Sequence, residues 1–219
     1  VQKETENYSH IYMIIPEDNF KQISELLEFN SDDEFYFVQI IQRKKDNPDS
    51  KGRNNNNRLV KAYYITSVEQ FLDLQEEMMA LANYFNARVG INLNRRSFEK
   101  TAFNTMRKIA EQMHNRDFKN VRHAYNHVCG THNYKVDRHW ILDVDYDGEK
   151  PDATNFKFKR DLIKFVNRQL IPEGNQVIAD IPSKNGSHLI CKPFNTKEFK
   201  KQYPDIEIHK NNPTNCYIP

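Results

Sequence analysis

The stretch RHWILDVDYDG, residues 138–148, ends an apolar run with two acids one residue apart, Asp143 and Asp145. A short apolar run with polar residues on both sides predicts a buried β-strand. Because side chains alternate between the two faces of a strand, both carboxylates are expected on one face and Leu142 and Val144 on the other. Two such carboxylates repel each other unless a cation or hydrogen-bond donors offset the charge. The stretch therefore predicts either a divalent metal site or an exposed polar strand end.

A second segment, IPSKNGSHLICKPF at residues 181–194, predicts a β-hairpin with a turn rich in phosphate-binding groups. The turn offers hydroxyls, an ammonium group, a flexible glycine and an imidazole, and such groups can converge on phosphate oxygens. An ordinary hairpin turn followed by a histidine explains the same pattern. The candidate phosphate-binding residues are Ser183, Lys184, Ser187 and His188.

A third segment, DIEIHKNNPTNCYIP at residues 205–219, places Asp205, Glu207 and His209 on one face of a short predicted strand. If this strand joins the sheet that holds Asp143, one of its acids completes a set of three carboxylates. Asp205 and Glu207 are the two candidates for that position. A surface strand without a site would show the same pattern.

The rest of the chain alternates predicted strands and helices. Strands are expected at 9–16, 34–45, 59–66 and 87–94, and helices at 19–29, 67–85, 97–113, 155–170 and 196–203. Segment 46–58, which contains four consecutive asparagines, is expected to form a mobile loop. Sheet segments interleaved with helices indicate an α/β or α+β fold, and the hairpin argues against an all-parallel sheet.

Two predictions concern the helices. Ser67 is a good N-cap for the helix at 67–85. In the helix at 97–113, Phe103, Met106, Ala110 and Met113 recur with helical spacing and are expected to face the core.

Composition restricts the class of protein. The chain has 219 residues, 38% of them hydrophobic, enough to build a substantial core. Three cysteines, Cys129, Cys191 and Cys216, lack the spacing of a disulfide framework, and no apolar run approaches the roughly 20 residues that span a bilayer. We therefore expect a cytoplasmic protein that is not inserted in a membrane. The basic residues that could contact a polyanion are Arg43, Lys44, Lys45, Lys51, Arg53, Arg58 and Lys61.

The order of the three motifs, LDVD, SKNGSH and IEIHKNN, resembles the archaeo-eukaryotic primase superfamily. The motifs are most similar to the polymerase domain of bacterial end-joining ligases. Ser183, Lys184, Gly186 and His188 match its Ser-x-Lys-Gly-x-His turn with one residue inserted before the glycine, and Glu207 stands four residues before an asparagine. Where many members have serine two positions before the histidine, this chain has Gly186, so the hydroxyl role passes to Ser183 or Ser187. The resemblance covers residues 138–217.

The resemblance implies an α+β fold: a mixed β-sheet palm, the RRM-like primase core, flanked by helices and preceded by an N-terminal α/β portion. Residues 1–219 would form a single catalytic domain, with 1–66 as a possible N-terminal lobe. Asp143, Asp145 and Glu207 would hold two Mg²⁺ or Mn²⁺ ions, with Asp205 as the alternative to Glu207. Ser183, Lys184, Ser187 and His188 would bind the triphosphate of a nucleotide.

The function expected from this resemblance is a metal-dependent nucleotidyltransferase, a primase or polymerase that starts or extends a strand from nucleoside triphosphates. Its partners would be a DNA or RNA template and replication proteins such as a helicase, with no membrane, and its small size suggests a phage or mobile-element enzyme. A non-catalytic nucleic-acid-binding module and a metal-dependent nuclease are the alternatives. A Rossmann glycine motif and a P-loop are both absent from the sequence.

Three other features carry weaker predictions. His123, His127, Cys129 and His132 form a possible zinc set, although their spacing fits no standard signature and Cys129-Gly130 resembles a helix end. Arg95 and Arg96 are expected either at template phosphates or in solvent. Trp140 is expected in the core, with base stacking as the alternative.

Overall fold

The computed structural model describes residues 17–48, 57–131, 138–146 and 153–219. The predicted strand at 9–16, and His132 of the possible zinc set, lie outside these ranges, as do Lys51, Arg53 and most of the predicted loop. Within them the chain is mixed α and β, with two antiparallel sheets. The α+β class and the absence of an all-parallel sheet are thereby confirmed. No helix in these ranges has both the length and the apolar character needed to cross a membrane.

The first sheet has the order β1-β9-β4-β2-β3. Its strands are β1 (Glu17–Asp18), β2 (Glu34–Gln42), β3 (Arg58–Ile65), β4 (Arg88–Ser97) and β9 (Thr214–Ile218). Every neighbouring pair is antiparallel. Strands on both sides of residue 66, together with the C-terminal strand, therefore belong to one sheet.

The second sheet has the order β6-β7-β5-β8. It consists of β5 (Trp140–Asp145), β6 (Val177–Ser183), β7 (Gly186–Cys191) and β8 (Glu207–His209). The predicted hairpin is confirmed, since β6 and β7 pair antiparallel with Ser183 opposite Gly186. All three motifs therefore lie in a single sheet.

Seven α-helices cover the two sheets in the described ranges. They are α1 (Phe20–Ser24), α2 (Val68–Asp73), α3 (Gln75–Phe85), α4 (Phe98–His114), α5 (Ala124–Thr131), α6 (Ala153–Gln169) and α7 (Thr196–Gln202). Helices α1 to α3 pack with β2, β3 and β4 in the largest core, whereas α6 and α7 pack on the second sheet. Short 3₁₀ turns occupy Lys44–Asp46 and Val121–His123.

The helix predicted at 67–85 is two helices. Ser67 caps α2 as predicted, because its Oγ accepts a hydrogen bond from the Gln70 N–H at 3.0 Å. The chain then turns at Leu74 and continues as α3, which ends at Asn86 in the left-handed conformation with φ of 44°. The first predicted helix, 19–29, is also shorter than expected, since α1 covers only five residues.

The orientation predicted for α4 is wrong. Phe103, Met106 and Met113 are between 54% and 67% exposed, and Ala110 is exposed as well, while Thr101 and Gln112 are buried. The helical period identifies an apolar stripe but does not decide which side of a helix packs on a sheet. Ser97 caps α4, and the backbone N–H of Phe98 donates to the Asp33 carbonyl at 2.8 Å, so the helix start is joined to the end of β4 and to the residue before β2.

The two sheets share part of one core. Ile141, Ile181 and Ile190 of the second sheet pack with buried residues of the first. The opposite face of the second sheet, with Trp140, Leu142 and Val144, packs against α6 and α7. The face that carries Ile141 must also carry Asp143 and Asp145, because side chains alternate along β5.

Candidate active site

Strand pairing places the predicted site residues in two adjacent rows on one face of the second sheet. In the first row Asp143 lies directly opposite His188 on one side and Glu207 on the other. In the second row Asp145 lies opposite Gly186, which pairs in turn with Ser183. We call this face, defined by these six residues, the acid face.

Two imidazoles contact the carboxylate of Asp143. Nε2 of His188 lies 3.5 Å from Oδ1, and Nε2 of His209 lies 3.6 Å from Oδ2. His209 Nε2 is also 3.3 Å from Oε2 of Glu207. The His209 ring therefore bridges the two carboxylates that face each other across β5 and β8.

His188 is held in place by the first sheet. Its Nδ1 forms a 2.9 Å hydrogen bond with Oγ1 of Thr214, at the start of β9. Burial lowers the pKa of His188; the neighbouring carboxylates of Asp143 and Asp145 act to raise it, and the charges of His209 and Arg88 act to lower it, with a net lowering. His188 is therefore mostly neutral at pH 7, with one ring nitrogen facing Asp143.

The remaining predicted residues differ in accessibility. Lys184 is in the two-residue turn between β6 and β7, half-exposed, with Nζ 3.5 Å from Oδ1 of Asp46. Glu207 is exposed at the edge of the sheet. Asp205, the alternative third acid, is exposed and precedes β8, outside the strand pairing.

Ser187 does not share the acid face. Its side chain is buried and, by strand alternation, lies on the face covered by α6, opposite to His188. Its Oγ has no hydrogen-bond partner among the described residues. Ser183 is therefore the one of the two candidate serines that lies on the acid face.

Burial also decides the predictions for three other residues, Arg95, Arg96 and Trp140. Both expectations for Arg95 and Arg96 are wrong, because both are buried and structural: Arg95 pairs with Glu34 at 3.0 Å, and Arg96 donates to the Cys129 carbonyl at 2.9 Å. Trp140 is buried as expected and packs edge-on against Phe194.

The possible zinc set gains no support from the structure. Cys129 is buried beside Phe35 and Phe37, and burial raises the pKa of its thiol to about 12. His123 and His127 are exposed on the surface. Cys129 and Gly130 lie in the last described turn of α5, which runs to Thr131.

The donor set of the acid face fits a hard divalent cation. Asp143, Asp145 and Glu207 offer only carboxylate oxygens, the ligands that Mg²⁺ and Mn²⁺ prefer, and strand pairing places all three on one face. As the side chains stand, no group of three or more His, Cys, Asp and Glu residues in the described ranges is arranged as a metal site. The nearest contacts of Asp143 and Glu207 are instead with the two imidazoles.

Sequence reasoning assigned no role to three residues around this face. His209 carried a usable signal, since it follows Glu207 by two positions and must share its face. Thr214 and Arg88 carried no local signal, because both belong to the first sheet and reach the acid face only through the tertiary fold.

Comparison with known proteins does not assign the chain to a family. No protein-family model matches the chain, and no curated protein or solved structure matches it.

Proposed function

We propose that the acid face is the active site of a metal-dependent nucleotidyltransferase of the primase-polymerase type. The proposal rests on the row Glu207–Asp143–His188. In this row two acids and a histidine occupy facing positions on three neighbouring strands. Asp145 and Ser183 extend the same face in the next row. Asp143 and Glu207 are thus neighbours on one face although they are 64 residues apart in the sequence.

Asp143, Asp145 and Glu207 would hold the two divalent ions. Bound there, such ions neutralise phosphate charge and lower the pKa of an attacking hydroxyl. The two aspartates stand on a rigid strand, because β5 pairs with a neighbour on both sides and its opposite face is buried against α6. A ligand set carried on paired strands keeps its geometry better than one carried on loops.

His188 would bind and align the triphosphate. If the Thr214 hydroxyl donates to Nδ1, the ring proton resides on Nε2, which can then donate to a phosphate oxygen. Lys184 and the Ser183 hydroxyl, at the turn next to it, would add a cation and a further donor. His188, Lys184 and Ser183 would thus act by binding and aligning the triphosphate, and none of them is needed as a general base.

The direct test is incubation of the purified protein with labelled ribo- or deoxynucleoside triphosphates, Mg²⁺ or Mn²⁺, and primed or unprimed templates. Strand synthesis supports the proposal. Template degradation under the same conditions would favour the nuclease alternative. Template binding without synthesis or degradation would favour a non-catalytic binding module.

The first prediction concerns His188→Ala. Loss of one charge-assisted hydrogen bond is worth about 1.5 to 3 kcal/mol, so kcat/KM for the nucleotide should fall about 10- to 100-fold, with KM raised and kcat lowered. Template affinity should stay within about twofold. His127→Ala, which removes an exposed histidine from α5, is the matched control and should retain wild-type kinetics.

Steady-state kinetics and thermal melting on the same preparations test this prediction. A His188→Ala protein that melts at a lower temperature but keeps the wild-type KM in its folded fraction would show that the histidine is only structural.

A further inference from the structure

A cavity of about 260 Å³ lies at the turn of the β6–β7 hairpin. Its lining includes Arg88 at the start of β4, Lys184 in the hairpin turn, Asp46 from the 3₁₀ turn after β2, and Glu17. Arg88, Asp46 and Glu17 took no part in any motif recognised in the sequence. The cavity therefore brings residues from distant parts of the chain to one side of the predicted phosphate-binding turn.

Two basic side chains, Arg88 and Lys184, contact Asp46 in this cavity. Its carboxylate accepts two hydrogen bonds from Arg88, Nε to Oδ2 at 2.8 Å and Nη2 to Oδ1 at 2.8 Å. The Arg88 and Asp46 side chains are only 13% and 12% exposed, and two parallel bonds of this kind fix the plane of a guanidinium group. Lys184 is more loosely placed, with Nζ 3.5 Å from Oδ1 of Asp46 and a half-exposed side chain.

The Asp46 carboxylate is ionised at neutral pH. Burial acts to raise its pKa, but the hydrogen bond and charge of Arg88, with the charges of Lys184 and Arg43, outweigh burial and lower the pKa below its usual value. The ionised Asp46 carboxylate thus forms an ion pair with Arg88 that holds the guanidinium group in place. The second terminal nitrogen of Arg88, Nη1, forms no hydrogen bond to the described part of the chain, so its two N–H donors and the second N–H of Nη2 remain for a ligand.

Arg88 lies close to the acid face. The next residue of β4, Val89, pairs with Tyr217 of β9, and Ile91 pairs with Thr214, the residue that holds His188. The charge of Arg88 is also among those that act on His188. On the other side, Lys184 is two residues from Gly186, which lies opposite Asp145.

We propose that Arg88 is a further phosphate-binding residue of this site, fixed in place by Asp46 and acting together with Lys184 on the polyphosphate of a nucleotide. The planar guanidinium matches two phosphate oxygens at once, and the flexible lysine can leave its weak contact with Asp46 to meet a third. This inference rests on the proposed function, since the polyphosphate is that of the nucleotide substrate. It adds to that function Arg88 of β4 and Asp46 of the 3₁₀ turn after β2.

The test uses inorganic tripolyphosphate, without added metal, as the probe in isothermal titration calorimetry. The key variant is the double substitution Arg88→Gln with Asp46→Asn. It leaves the net charge of the protein unchanged and leaves no unpaired carboxylate in the cavity. Arg107→Gln, which removes an exposed arginine from α4, is the control for a simple loss of positive charge.

The double variant should bind tripolyphosphate about 10-fold more weakly than the wild type, and Arg107→Gln should bind within about twofold of it. Arg88→Lys keeps the charge but not the planar fork, so its affinity should fall between those of the wild type and the double variant. It also serves as the test variant if the double variant does not fold. Thermal melting establishes folding for each protein.

A folded double variant with wild-type affinity, or a wild type that binds no tripolyphosphate, overturns the inference. If the wild type incorporates nucleotides and the double variant keeps its nucleotide KM, the inference fails while the proposed function stands. If tripolyphosphate binding depends on Arg88 but no strand synthesis occurs with any template, the phosphate site stands and the nucleotidyltransferase proposal fails.

Discussion

Asp143→Asn should abolish nucleotide incorporation and leave the fold intact. Asp143 is the central residue of the acid face, opposite His188 on one side and Glu207 on the other. Replacing a carboxylate oxygen with an amide nitrogen removes charge and one ligand atom without changing the volume of the side chain. Loss of one group that stabilises transition-state charge typically costs about 100- to 1000-fold in kcat, and loss of a shared metal ligand should cost at least as much.

The fold should tolerate this change because Asp143 is not part of the hydrophobic core. Its side chain is partly exposed, and its contacts with the two imidazoles, at 3.5 and 3.6 Å, are long. Contacts this long are not strong hydrogen bonds, so their loss should change the melting temperature by only a few degrees.

Two companion variants make the Asp143 test specific. Glu207→Gln should also abolish incorporation, since Glu207 faces Asp143 directly. Asp205→Asn is the matched control: it removes an exposed acid two residues away, outside β8, and should retain activity. Radiolabelled primer extension with Mg²⁺ and with Mn²⁺ measures all three. Wild-type activity in Asp143→Asn would remove the acid face as the active site, and loss of activity in Asp205→Asn alone would move the third acid to Asp205.

Much of the acid face could be predicted from local sequence because strand alternation is a short-range rule. Asp143 and Asp145 share a face whatever the rest of the chain does, and the hairpin from residue 177 to residue 191 follows from two apolar arms around a polar turn. The same rule, applied to β7, separates Ser187 from His188. Strand alternation alone therefore predicts that the Ser187 and His188 side chains face opposite sides of the sheet.

Local sequence does not predict how helices and strands are oriented relative to one another. The helical period identifies an apolar stripe on α4, but the period alone does not decide which side of the helix packs on the sheet, and Phe103 and Met106 are exposed. Likewise, nothing local indicates that Arg96 is buried, since its partners Cys129 and Asn211 are 33 and 115 residues away. Burial of a charged side chain depends on partners that only the complete fold supplies.

The residues around the acid face show the same limit. Asp46 and Arg88 are 42 residues apart, and Thr214 is 26 residues from His188. Each pair joins different elements through side chains alone, without backbone pairing between the two residues. A motif search along the chain finds the strands that carry a site, whereas the residues that orient it come from wherever the fold brings a suitable side chain.

Gly186→Ala should destabilise the protein and reduce its activity, because no space exists for a side-chain carbon at this position. A Cβ on Gly186 would lie 1.9 Å from the Val144 carbonyl oxygen and 2.9 Å from Asp145 Cα. Both are backbone atoms of β5, so they cannot rotate away as a side chain could. Strands β5 and β7 would have to separate at the row that holds Asp145.

Overpacking of this kind typically costs about 1 to 3 kcal/mol, which for a chain of this length is a fall of about 2 to 12 °C in melting temperature. Gly130→Ala in α5 is the matched control, since its Cβ would meet only Phe37 Cε1 at 4.0 Å and alanine favours a helix over glycine by about 1 kcal/mol. That variant should melt at the wild-type temperature or above. Because Asp145 lies opposite Gly186, displacement of this row should also lower nucleotide incorporation in the fraction of Gly186→Ala that remains folded. Equal melting temperatures and equal activities for the two variants would show that β5 and β7 are not as closely paired at Asp145 as the strand register requires.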